Sequence, residues 1–311
     1  MKNFVESEEK RRLLLERREF VSTVLKTIGI SSLLTIPGIG ISAAWANDRR
    51  DYTVQEVIDL ILKEIPGTPI KDTVDTIKSG APDQKVTSIV TTMFATVEVI
   101  RATARLGANF IIAHEPTFYN HLDDTNWLQQ NAVVKQKQEL LQKHNIAIWR
   151  FHDYWHAYRP DGILTGVLKE LRLEKYKTAN EHLLLTPPLS LKVLIDLLKE
   201  RLGIKKLRVI GDLSQICKRI AILPGAAGGQ TQIAFIEKEK PDVFICGEVH
   251  EWETAEYIRD ARQMGSKTSL MILGHSVSEE PGMNWLVQWL QPKIPEIKIT
   301  HIASKDPFLW I

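Results

Sequence analysis

The 311-residue sequence predicts an α/β protein with largely buried strands. Apolar runs of four to six residues, too short for helices, alternate along the chain with longer segments of helical period. Several of these runs end on histidine and carboxylate, the placement expected where an open α/β sheet presents a site beyond the carboxyl ends of its strands. The composition, 44% hydrophobic and 25% charged, is that of a globular chain.

In chain order, residues 53–65 (TVQEVIDLILKEI) carry a helical apolar period with Thr53 as cap. Residues 85–94 read as a strand, 96–107 as a helix closed by Gly107, and 109–113 (NFIIA) as a short buried strand. An amphipathic helix is expected over 126–145, a strand over 146–151 and a helix over 162–173. After Pro187 and Pro188 comes a helix, 190–203, capped by Ser190 and ended by Gly203. Strands are expected at 207–211, 219–225, 242–247 and 269–274, and helices at 229–239, 252–265 and 282–294. Buried strands alternating with helices point to layered α/β architecture.

Residues 1–46 read as an export signal rather than as part of the fold. A charged start, a moderately apolar middle and the small-x-small site Ala44-Trp45-Ala46 supply its three parts. Arg17-Arg18 followed by Glu19-Phe20-Val21 resembles a twin-arginine signal, with Glu16 where that pattern prefers Ser or Thr. The alternative is an uncleaved anchor, whose apolar run Lys26 and Pro37 would interrupt. The mature chain, 47–311, is then expected outside the cytoplasm, periplasmic or otherwise exported, and not membrane-spanning. The basic excess of the whole chain, +2, belongs to the leader, so nucleic acid is not an expected partner. Export of a folded protein would let the site load its metal before it meets competing ions outside. Cys217 and Cys246 are too few for a disulfide scaffold or a CxxC metal site and read as buried free thiols.

Four separated segments deliver histidine and carboxylate to strand ends: His114-Glu115, His152 through His156, Glu248 through His250, and His275 through Glu279. Singly, each has a structural explanation as a core histidine or a helix cap. Together they point to a site for two metal ions, with imidazole and carboxylate suiting Zn, Mn, Fe or Co. His121, His144, His182 and His301 lack that context and read as surface or packing residues. Two motif look-alikes fail. HEWE (250–253) lacks the second histidine of a zincin, and PGAAGGQT (224–231) lacks the Lys-Ser/Thr pair of a phosphate loop.

These segments resemble the Nif-three-like family of dinuclear-metal proteins, also labelled GTP cyclohydrolase type two. TVEVIRATARLGANFIIAHEPTF resembles the segment leading into its His-His-Pro motif, and FHDYWHAYRPDGI its His-x-x-x-Asp segment. The stretch 220–261 resembles its glycine turn and Gly-Asp/Glu-x-x-x-His region, and LGHSVSEEPGM its Gly-His-x-x-x-Glu signature. The resemblance spans 53–311. It implies two interlinked α/β lobes with mixed sheets, a metal pair between them, and a homo-oligomer, often a ring-shaped hexamer. The sequence departs from the pattern twice: Glu115 stands where the second His would be, and His156 where the Asp would be. The resulting ligand set, His114, Glu115, His156, His275 and Glu279, keeps three imidazoles and two carboxylates. Asp153 rivals His156. His250, His152 and Glu248 are expected to orient ligands or move protons.

The expected activity is metal-dependent hydrolysis of a phosphoester or C–N bond in a small-molecule substrate, through a hydroxide bridging two metals roughly 3.5–4 Å apart. The alternatives are a metal carrier or store using the same ligands, and a non-catalytic interaction scaffold.

Overall fold

The computed structural model describes residues 51–309; the expected leader, 1–46, lies outside the described residues. The elements are α1 (Val54–Leu62), β1 (Ile77–Ser79), β2 (Ile89–Thr92), α2 (Val97–Arg105), β3 (Phe110–Ala113), α3 (Ala132–Lys143), β4 (Ala147–Arg150), α4 (Asp153–Ala157) and α5 (Gly162–Leu171). They continue with β5 (Leu183–Ser190), α6 (Leu191–Leu202), β6 (Arg208–Ile210), β7 (Ile216–Leu223), α7 (Gly229–Glu239), β8 (Val243–Cys246), α8 (Glu256–Gln263), β9 (Ser269–Ile272), α9 (His275–Leu290) and β10 (Ile299–His301).

Among the described residues the strands form two five-stranded mixed sheets, ordered β1-β4-β3-β2-β10 and β5-β7-β8-β9-β6. In the first, β4, β3, β2 and β10 run parallel and β1 joins antiparallel. In the second, β7, β8 and β9 run parallel between antiparallel β5 and β6. The expected α/β class with mixed sheets is therefore what the chain adopts. The chain leaves the first sheet after β4, builds the whole second sheet, and returns to pair β10 with β2.

The central strands β2, β3, β4, β8 and β9 are buried along their whole length, because helices or the other sheet cover both faces. One large core takes Phe110, Ile112 and Trp149 from the first sheet and Ile222, Ile245 and Met271 from the second, with α1, α5, α6 and α9 packed among them. The outer face of the first sheet packs on α2 and α3, and that of the second on α7 and α8. Helices α5 and α9 cross so closely that a Cβ on Gly166 would lie 2.4 Å from the Pro281 carbonyl oxygen. Glycine here is a packing requirement.

Local chemistry sets the boundaries. Thr53 and Glu56 form a reciprocal capping box on α1, and the Ser190 and Gly203 caps of α6 stand as expected. Four expectations shift. The helix read over 126–145 begins at Ala132, because the Asn131 side chain accepts from Val133 N and Val134 N and so makes a new start. The helix read over 282–294 begins seven residues earlier, at His275, and carries Pro281 in its interior. The first turn of the helix read over 252–265 is a π turn, Glu251–Ala255. Pro187 and Pro188 do not break the chain. They sit in the edge strand β5, where its pairing with β7 slips between Leu185 and Leu189.

Candidate metal centre

The parallel strands aim their carboxyl ends at one place. After β3 the ladder continues through His114 N to Thr92 O at 3.2 Å and Glu115 N to Met93 O at 2.9 Å, so the sheet fixes both side chains. After β4, Phe151 N donates to Ala113 O, and the chain turns into the short helix α4. Asp75 anchors that turn by accepting from His152 N, Asp153 N and Tyr154 N at 2.8, 3.1 and 2.8 Å. His156 then stands one turn beyond His152. From the second sheet, β8 leads to Glu248, and β9 leads through Gly274 to His275 at the start of α9. Glu279 follows one turn later on the same face.

Glu279 is the hub. Its Oε2 lies 3.9 Å from His114 Nε2 and 3.1 Å from His275 Nε2, and its Oε1 4.0 Å from His156 Nε2. Glu115 Oε1 lies 3.6 Å from His152 Nε2 and 3.3 Å from His275 Nε2. His114, His152 and His156 offer one convergent group of ligand atoms, and His114, Glu115 and Glu279 another, each within 4.8 Å.

Every imidazole is held from behind. His114 Nδ1 donates to Phe151 O at 3.1 Å, His152 Nδ1 meets Asp153 at 2.9 Å and His156 Nδ1 meets Asp161 at 2.8 Å. His275 Nδ1 lies 3.4 Å from Glu248 Oε2. An acceptor on Nδ1 places a proton there and turns Nε2 toward the cluster, the outer arrangement that metal-binding histidines use. His114 Nε2, His275 Nε2 and Glu279 Oε2 are buried and have no hydrogen-bond partner. They approach one another closely without aligning for hydrogen bonds, as ligand atoms aimed at a common point do. The residues present therefore fit a metal centre.

The electrostatics agree. Burial, reinforced by His152 and His156, pushes His114 well below its ordinary value, so it is a neutral ligand. Burial alone would lower His275, but the carboxylates of Glu115, Glu248 and Glu279 outweigh it and lift the imidazole to about 12. His156 follows the same pattern: burial opposes, Asp161 and Glu279 prevail, and it rises to about 9. Glu115 is desolvated, yet His275, His152 and Arg150 hold it below its ordinary value. Without metal, protons on imidazole neutralise the carboxylates; metal would take their place.

Arg150, wholly buried, underpins Glu115. Its Nε donates to His114 O at 3.2 Å, its Nη1 donates to His121 O, and its Nη2 lies 3.6 Å from Glu115 Oε2. Gly225, in the turn after β7, has φ +69°, and a Cβ there would lie 2.3 Å from Glu279 Oε1. Its N–H donates to Ser278 Oγ at 2.9 Å, tying the turn to α9.

All five expected ligands, His114, Glu115, His156, His275 and Glu279, converge here. His152, expected to orient or shuttle, stands among them. Asp153, the rival of His156, turns away to hold His152 Nδ1, Thr73 Oγ1 and Val74 N. Glu248 backs His275. His250 is the outlier: 58% exposed, it stacks on Trp252 and meets Glu253 at 3.1 Å. His121, read as a packing residue, lies edge-on to His152 with ring centroids 6.1 Å apart. Asp75, Arg150 and Asp161 escaped the sequence reading. Only Asp161 carried a local signal, as an Asp opening an apolar helical run, and it caps α5 through Leu164 N.

Residues 54–307 match the sequence model of the family described as Duf34/NIF3 (NGG1p interacting factor 3). A Clostridium perfringens relative named GTP cyclohydrolase 1 type 2 homolog is 25% identical over 267 residues, covering 81% of this chain and 97% of its own. An Escherichia coli K12 protein of the same name is 26% identical over 234 residues, covering 72% and 87%. The crystal structure of a Bacillus cereus protein related to NIF3 superposes with a TM-score of 0.67 at 16% identity, covering 84% of this chain and all of that one, a likeness of fold.

Proposed function

This chain belongs to the Duf34/NIF3 family, and on that premise we propose that it is an exported metal-dependent hydrolase whose cluster holds two divalent ions, Zn, Mn, Fe or Co. The observation that carries the metal reading is the set of four imidazoles, each held at Nδ1 by an oxygen, with Nε2 turned inward. Bound there, the ions would supply Lewis acidity toward a scissile oxygen and an activated water.

The protein's own residues do the remaining work. Glu115 and Glu279, each between several histidines, are the carboxylates that would hold the ions. Against burial, His275, His152 and Arg150 together keep Glu115 ionised, and Arg150 faces its second oxygen. Glu248, half exposed and held on His275, and His250 at the solvent side are the groups placed to move a proton between site and water. His152 faces inward and would serve as a sixth ligand. The bond cleaved is a phosphoester or C–N bond; the name of the curated relatives suggests the second class. Export through the leader to the periplasm, and assembly into a homo-oligomer, belong to the same proposal.

The test is metal content of the full chain purified without a metal-affinity column, beside Glu115→Ala and His114→Ala, followed by a screen of phosphoesters and cyclic amides. Two ions per chain, lost in both variants, with turnover of one substrate class, are expected. No metal, or metal indifferent to both changes, would sink the reading. Two tightly held ions with no turnover would make the protein a metal carrier instead.

A further inference from the structure

We propose that the cavity beside the metal centre, floored by Lys137 and Thr117, binds the phosphate-type oxyanion of a substrate whose body is apolar. The cavity has a volume of about 810 Å³ and runs from Glu115 past Tyr119 and His121 to Lys137 and Phe94. That is the size of a small-molecule site. The inference rests on the hydrolase reading for the placing of the scissile bond, but the anion site stands on its own observations.

Lys137 lies in the apolar stripe of α3, between Val134 and Leu141, and is 5% exposed. A lysine there is expensive unless its ammonium is paired. Its Nζ donates once, to Thr117 O at 2.6 Å, and sits 5.3 Å from the Tyr119 ring centroid. An ammonium has three donors. No other hydrogen bond to Nζ is found among the described residues. Beside it Thr117, 1% exposed, has a buried Oγ1 with no hydrogen-bond partner. Two adjacent buried polar groups thus keep unused hydrogen-bonding capacity at a cavity that opens on the metal ligand Glu115.

The surrounding charges leave Lys137 as the underused cation. Asp123, the buried carboxylate near it, lies 3.3 Å from Lys78 and 3.6 Å from Arg150. Glu115 is engaged by Arg150, His152 and His275. Glu98, at the rim, pairs with Lys305 at 3.2 Å. Burial lowers the Lys137 amine to about 8, against the pull of Asp123, so it is still largely charged at neutral pH and gains from an anion. Phe94 and Tyr119 supply apolar wall for the rest of the ligand.

The experiment is calorimetric titration of the metal-loaded full chain with phenylphosphonate, which cannot be hydrolysed at a phosphoester bond, and with benzoate and benzyl alcohol. Metal content is measured on the same samples. Phenylphosphonate is expected to bind more tightly than benzoate, and Lys137→Met to weaken it about tenfold or more with metal content unchanged. Benzyl alcohol should be indifferent to the change. Equal phenylphosphonate affinity in wild type and Lys137→Met, at equal metal content, would overturn the proposal, since the anion would then sit on the metals alone. Thr117→Val reads the same pocket if Lys137→Met does not fold: a loss of about threefold or more supports it, and no change overturns it. A metal-free protein that still loses affinity in Lys137→Met would keep the anion site and sink the hydrolase reading instead.

Discussion

Arg150 shows how one residue makes a buried carboxylate workable. Glu115 places a negative charge in a buried site. A buried carboxylate needs a partner on each oxygen. Glu115 has His275 and His152 on one oxygen and Arg150 on the other. Arg150→Met is therefore predicted to lower metal affinity about 10–100-fold, read by chelator competition. In a Glu115→His background the same change should cost much less, because the charge it serves is gone; equal losses in the two backgrounds would contradict this role.

Stability without metal should depend on pH. His156 is raised from 6.5 to about 9 in the folded, metal-free protein. A raised histidine contributes stability that is fully present below its unfolded value and lost as pH rises through its folded value. Metal-free protein should lose stability between about pH 6.5 and 9, while metal binding, which needs deprotonated imidazole, strengthens over the same window. The gap in Tm between loaded and metal-free protein should widen with pH. A gap that narrows would show that His156 is not a ligand.

At the scale of elements, two short turns set the site. Gly225→Ala forces a methyl group into Glu279 and a left-handed backbone onto alanine. It is predicted to cost about 2 kcal/mol of stability and to lower metal content. Asp75→Asn leaves α4 with a weaker anchor across its three N–H donors, and should loosen His152 and His156 together while His275 is untouched. Comparison of their imidazole resonances by NMR would check it. How much of this the sequence showed depends on the range of each interaction. His114, Glu115 and His275 were legible because they follow apolar runs closely, so strand and side chain are read in one window, and Glu279 because it stands four residues beyond His275. Asp75 was not, because it acts on a turn 77 to 79 residues away. Arg150 and Lys137 occupy positions that pattern alone assigns to apolar side chains: the end of a buried strand and the stripe of a helix. Pro281 hid the first two turns of α9, because a proline there reads as a helix start. The capped helices α1 and α6 were legible to within a few residues, because their caps act within one turn.

For the whole molecule, the shared core means that the two sheets should not unfold separately. Side chains from both pack with α5 and α9 in one cluster. Gly166→Val, at the crossing of those helices, is predicted to destabilise the chain by about 3 kcal/mol and to shift the unfolding of both sheets together. Two transitions in calorimetry, with only one moved, would contradict it. Among the described residues no helix is long and apolar enough to cross a membrane.

The return of β10 to the first sheet has a consequence for how the protein is made. β10 pairs with β2, some 200 residues earlier in the chain, and His275 and Glu279 also come from the last 40 residues. A nascent polypeptide not yet extended through these residues therefore lacks both an edge of its first sheet and two side chains of the candidate metal centre. A product cut short before residue 275 by translational stalling or an early stop codon would lack part of the candidate metal centre as well as the β10 edge.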